Sequence, residues 1–134
     1  YLTELAAVTR DAVLRDEIAE KCKSAMQWQL NMCQFDDGAI GMSGRDDKWL
    51  GMTSGAIQCF IRTREAGFLI DAEIAQYRPK ALAARDWMQQ HVTPAGIEAG
   101  GYFPISGKSD PRPPDNLAWM FGLTLQALSE LDRL

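Results

Sequence analysis

The chain has 134 residues, 46% of them hydrophobic and 24% charged, with a net charge of −4. That is one domain's worth of polypeptide, able to bury a core without metal or disulfide staples. The acidic balance argues against a nucleic-acid surface, which carries a basic stripe, and no apolar run approaches the roughly 18 residues of a membrane span.

The opening, YLTELAAVTRD, has neither a basic n-region nor an apolar h-region, so no signal peptide is expected there. From Leu14 the apolar or small positions run Leu14, Ile18, Cys22, Ala25, Gln29 and Met32, which trace one face of a helix. The next helix, in TSGAIQCFIRTREAG, is apolar nearly all round at Ala56, Ile57, Cys59, Phe60 and Ile61, the pattern of a deeply buried element. Thr53 or Ser54 is expected to cap its start and Gly67 its end. In DAEIAQYRPKALAARDWMQQHV, Asp71 is a candidate N-cap, and Pro79 predicts a kink or a fresh helix start. The last helix follows PPDNLAWMFGLTLQALSELDRL, with Asp115 or Asn116 near its N-cap. No stretch alternates long enough for a strand, so the fold class is all-α.

The chain also resembles itself. AEKCKSAMQWQLNMCQ and YRPKALAARDWMQQHV each place a tryptophan late in a helix, Trp28 and Trp87, positions that suit packing between helices. Glycine-rich stretches follow, DDGAIGMSGRDD and AGGYFPISGKSD, and each leads into an apolar helix. The repeat units span about 12–67 and 71–133 of a single helical domain, 1–134. Links near Thr9-Arg10-Asp11 and Gly67-Phe68-Leu69-Ile70 are short, whereas 34–52 and 92–114 are long. Alternating helix directions bring both long links to one end, where binding or catalysis is commonly built. Ile40, Met42, Tyr102, Phe103 and Ile105 offer the other reading, connectors that pack over the bundle end.

Three cysteines, Cys22, Cys33 and Cys59, form no CxxC pair and fall on apolar helix faces. They read as buried reduced thiols of a reducing compartment, so the expected location is cytoplasmic; a secreted origin stays open if the chain belongs to a longer protein. A nucleophilic cysteine would want a nearby histidine. His91 is the single histidine and sits at a predicted helix end, where the macrodipole favours it. One histidine and scattered cysteines do not match zinc spacings. DDGAIGMSGRDD lacks the alternate-ligand spacing of a calcium loop. The glycines of GAIGMSG follow no strand, so neither metal nor nucleotide cofactor is expected.

The stretches MQWQLNMCQFDDGAIGM, ALAARDWMQQ leading to AGGYFPISG, and PPDNLAWMFGLTLQAL resemble the helical-hairpin units of α/α toroids. These are rings of antiparallel helix pairs found in six-hairpin glycosidases, polysaccharide lyases, sugar epimerases, terpene cyclases and prenyltransferases. The Asp-Asn-x-x-Trp start at Asp115 is similar to an inner helix of six-hairpin carbohydrate enzymes. A closed ring needs several more hairpins than the two here, and YLTELAAV reads as the tail of an inner helix. The chain is thus expected to be part of a longer protein, a small stand-alone bundle or a protomer of a homo-oligomer. The cyclase motif of clustered aspartates before Thr-Ala is absent.

The resemblance implies a carbohydrate-active segment, binding or processing a glycan. As an enzyme it would be a hydrolase, lyase or epimerase using loop carboxylates, one protonated and one ionised. Asp46 and Asp47 in the first long link and Asp110 and Asp115 near the second are the catalytic candidates, although Asp beside Gly is also ordinary turn chemistry. Trp49, Tyr102 and Trp119 could stack on sugar rings, and Arg45 or Lys108 could hold a carboxylated sugar. The second reading is a non-catalytic module for protein interaction or oligomerisation, and a terpenoid-cyclase-like fragment is the third.

Overall fold

A computed structural model describes residues 2–41, 48–91 and 118–134. They form α1 (Leu2–Val8), α2 (Ala12–Met32), α3 (Leu50–Glu65), α4 (Asp71–His91) and α5 (Ala118–Ser129), followed by a 3₁₀ turn, Leu131–Arg133. Among the described residues there is no strand, only isolated bridges of Gln34 with Ile40 and Gly41 with Lys48. The protein is all-α in the described part, and none of its described helices is long and apolar enough to cross a membrane.

Local chemistry sets the helix ends, not always where the sequence pattern puts them. Asp11 caps α2, its Oδ1 accepting from the amides of Val13 at 2.9 Å and Leu14 at 3.2 Å. Helix α3 starts at Leu50, with Trp49 in extended conformation at its N-cap. Thr53 and Ser54 therefore lie inside the helix; their hydroxyls donate back to the Trp49 and Leu50 carbonyls, each at 2.8 Å. Gly67 does end α3: at φ +72° it places its own N–H on Arg64 O (2.9 Å) and that of Phe68 on Thr63 O (3.1 Å), a Schellman closure. Asp71 is the first residue of α4 rather than its cap. The Ile70 N–H is held instead by Glu73 Oε2 at 3.0 Å. Helix α4 runs unbroken through Pro79, whose missing N–H frees the carbonyl of the exposed Ala75, within reach of water.

The buried stripe of α2 also differs from the expected one. Ile18, Cys22, Met26 and Leu30 are buried, while Leu14, Ala25 and Met32 are exposed. Steps of four overshoot a full turn by about 40° each, so the buried line winds round α2 from Ile18 and Cys22 beside Ala6 of α1 to Met26 and Leu30 in the core around α3.

Helix α3 lies at the centre and packs against α2, α4 and α5. It buries Ala56, Ile57, Phe60 and Ile61 completely, beside Met26, Leu30, Ile40 and Met88. Each large side chain so buried contributes about 1.5–3 kcal/mol. Contacts along the helices give their directions. Ser54 meets Thr124 (3.1 Å) and Arg62 pairs with Glu130, so α3 and α5 run parallel. Lys23 meets Glu73 (3.1 Å), Asn31 meets Tyr77 (3.3 Å) and Lys80 meets Leu30 O (2.9 Å), so α2 and α4 also run parallel. Two rows result, α3 with α5 and α2 with α4, the second antiparallel to the first.

Candidate functional site

Because each row is parallel, the links α2–α3 and α4–α5 leave the same end of the molecule. The described part of the first link is built into the core. Beyond the α2 C-cap, Cys33, the chain turns at Asp36, Asp37 and Gly38, closed by Phe35 N–H to Ala39 O (2.8 Å) and Gly38 N–H to Phe35 O (3.0 Å). Gly38 has φ +97°, and a Cβ there would lie 2.2 Å from the Ala83 carbonyl oxygen of α4. Ala39 and Ile40 are fully buried. Ile40 donates its N–H to Thr53 Oγ1 (2.9 Å) and accepts from the Trp49 N–H (2.9 Å). Gln34 Nε2 donates to Lys80 O on α4 at 2.8 Å. One short segment thereby ties the end of α2 and the start of α3 to the middle of α4.

Asp37 closes this base through an ion pair with Lys48, whose ammonium also sits 5.4 Å from the centre of the Phe35 ring. Burial pushes the Asp37 carboxyl up, but Lys48 and the Ala39 N–H outweigh it and hold the group below the usual carboxylate range. Asp37 is thus an ionised, paired structural anion at neutral pH. Beside the base lies a cleft of about 310 Å³ between Gln34, Phe35 and Asp36 on one side and Pro79, Lys80 and Ala83 on the other.

Of the site residues read from the sequence, only Trp49 has a described side chain. It is half-buried at the head of α3, one residue from Lys48, at the connector end. Arg45, Asp46, Asp47, Tyr102, Lys108, Asp110 and Asp115 lie outside the described residues. Trp119 belongs to α5, with its side chain outside the described set. Trp87 is buried at 3% exposure, as packing between helices requires, whereas its repeat partner Trp28 is 45% exposed.

The opposite end carries a second cleft, of about 420 Å³, between α1 (Thr3, Glu4, Ala7) and the end of α3 (Arg62, Glu65, Ala66). No periodicity could have revealed it, since its walls come from segments some sixty residues apart. Its charges are largely engaged: Arg62 pairs with Glu130 and Arg133 with Glu65. Arg64 and Arg78 donate to Leu134 O at 3.2 and 2.8 Å. Burial pushes the Cys22 and Cys59 thiols up, which disfavours the nucleophilic thiolate. Among the described residues no three His, Cys, Asp or Glu side chains gather to hold a metal ion. No protein family, curated protein or solved structure matches the chain.

Proposed function

We propose that the chain is a helical-hairpin segment of a carbohydrate-active α/α-toroid protein, and that it meets a glycan at the end where both long links emerge. The observation that carries this reading is the pair of parallel rows, α3 with α5 and α2 with α4. Consecutive hairpins of a ring repeat by that displacement, and it supports collecting Arg45, Trp49, Tyr102, Lys108 and Trp119 at one end. Asp46, Asp47, Asp110 and Asp115 are the acids available to a hydrolase, lyase or epimerase there. The fold class alone would not choose among these chemistries.

Binding to an arrayed glycan panel tests the proposal. Trp49→Ala and Tyr102→Ala should each abolish binding while leaving helicity unchanged. A parent protein that binds no glycan on the panel would remove this reading. An interaction module is the second reading, favoured by the exposed Trp28 and Met32 on α2.

A further inference from the structure

In CQFDDG, residues 33–38, the two aspartates are exposed and the glutamine is buried, with Gln34 at 7% exposure. A buried amide has to find partners for its polar atoms. Gln34 Nε2 does so, donating to Lys80 O on α4 at 2.8 Å and to Gly38 O at 3.3 Å. Two carbonyl acceptors fix the orientation of the amide, because the flipped form would set Oε1 against both of them. Oε1 itself accepts no hydrogen bond among the described residues. Nor is it sealed in the core. The enclosed side-chain polar atoms without partners there are Gln29 Oε1, Thr63 Oγ1 and Glu130 Oε2. Gln34 lines the cleft between the first connector and α4, so its carbonyl is a fixed acceptor open to that cleft.

The rest of the lining narrows what can donate to it. Leu30, Phe35, Pro79 and Ala83 are apolar walls, and Asp36 and Lys80 carry charges of opposite sign. Lys80 Nζ donates to Leu30 O at 2.9 Å and to Asn31 Oδ1 at 2.8 Å, which leaves its third N–H for a further acceptor. An anion in the cleft would face the Gln34 carbonyl and the Asp36 carboxylate, and a cation would face the Lys80 ammonium. A neutral hydroxyl suits both sides, since it can donate to Oε1 and accept from Nζ. An apolar ligand would leave the carbonyl without the water it had and without a replacement. The volume, about 310 Å³, lies at the lower end of the roughly 300–1,000 Å³ of ligand pockets, room for one ring rather than a chain.

We propose that this cleft binds a single neutral pyranose. One hydroxyl donates to Gln34 Oε1, another accepts from Lys80 Nζ, and the C–H face of the ring lies on Phe35 and Pro79. The choice of a sugar among neutral hydroxylated rings rests on the glycan reading above. What the cleft adds is a subsite on the flank of the first connector, built from α2, the connector and α4. Gln34 has two tasks there: Nε2 holds the connector to α4, and Oε1 reads the ligand.

The test follows the Gln34 side-chain amide and the Lys80 and Ala83 backbone amides of isotope-labelled protein by NMR, during titration with D-glucose, D-galactose and D-mannose. At least one sugar should move these signals saturably. Tetrahydropyran, the same ring without hydroxyls, should not. Ala83→Leu, which fills the cleft from α4, should weaken the binding at least about tenfold. Pro79→Phe fills it from the exposed side and returns to α4 the N–H that proline lacks, so it supplies a folded variant if Ala83→Leu does not fold. Shifts that survive a filled cleft, or equal shifts with tetrahydropyran, would overturn the proposal. So would unmoved Gln34 signals with all three sugars. A parent protein that still binds an arrayed glycan would then keep the wider reading, and one that binds none would lose both.

Discussion

Gly38 is a point of close approach between the first connector and α4. Its φ of +97° disfavours any L side chain, and an added Cβ would meet the Ala83 carbonyl oxygen at 2.2 Å, backbone that cannot swing aside. Gly38→Ala should lower stability by about 2–3 kcal/mol in denaturant titration. Gly55 is the control: it lies inside α3, and among the described residues nothing beyond the helix's own backbone and its chain neighbours stands within 4 Å of a Cβ built there. Gly55→Ala should stabilise by up to about 1 kcal/mol through helix propensity. Both residues are glycines in glycine-rich stretches, and only the neighbouring backbone separates them. The tryptophans teach the same point. The self-similarity of the sequence matches Trp28 with Trp87, but burial depends on what lies alongside: Trp87 belongs to the core that α3 centres, whereas α1 packs through Ala6 at Ile18 and Cys22, short of Trp28.

At the scale of elements, polar side chains at helix ends couple folding to pH. The Ile70 N–H chiefly, and Lys23 after it, hold the Glu73 carboxyl below its usual value against a smaller opposing effect of burial. Glu65 is lowered chiefly by Arg133. A carboxyl depressed in the folded state binds its proton more readily when unfolded. These contributions are complete above the unfolded carboxyl range and fade as pH falls through the depressed folded values. Glu73→Gln should therefore flatten the acid limb of the stability–pH curve, seen as a smaller difference in midpoint between neutral pH and the acid side of the carboxylate range. Gly67 could be read from sequence because a helix C-terminus needs a left-handed residue. Thr53 and Ser54 could not be placed correctly, because the start of α3 depends on residues 33–41 folding back and delivering Trp49 in extended conformation.

For the whole molecule, stability hangs on α3, which packs against three other helices and buries Phe60 with no exposed surface. Phe60→Ala should cost about 3–5 kcal/mol, a large share of the roughly 5–15 kcal/mol that holds an ordinary domain folded. Val13→Ala, at a position 69% exposed on α2, should change little. Thermal unfolding of the two variants tests whether the core is centred where the packing places it. The glycan reading belongs to this scale too: the parallel rows bring two separate links to one end, and Trp49 is the candidate whose side chain is described there.

Much was determined by the sequence itself. Helical periodicity, the apolar circumference of α3 and the glycine at the end of α3 are local properties of the chain, and local hydrogen bonding and burial enforce them. Three things were decided only by tertiary structure. The stripe that α2 buries winds because its partner changes along its length, Ile18 and Cys22 packing with Ala6 of α1 and Met26 and Leu30 joining the core around α3. The DDGA turn became a seam of the core, with Asp37 committed to Lys48 and Gly38 to α4, because α4 passes close behind it. And Trp28 stands exposed on the same motif that buries Trp87, because burial belongs to the neighbour and not to the residue.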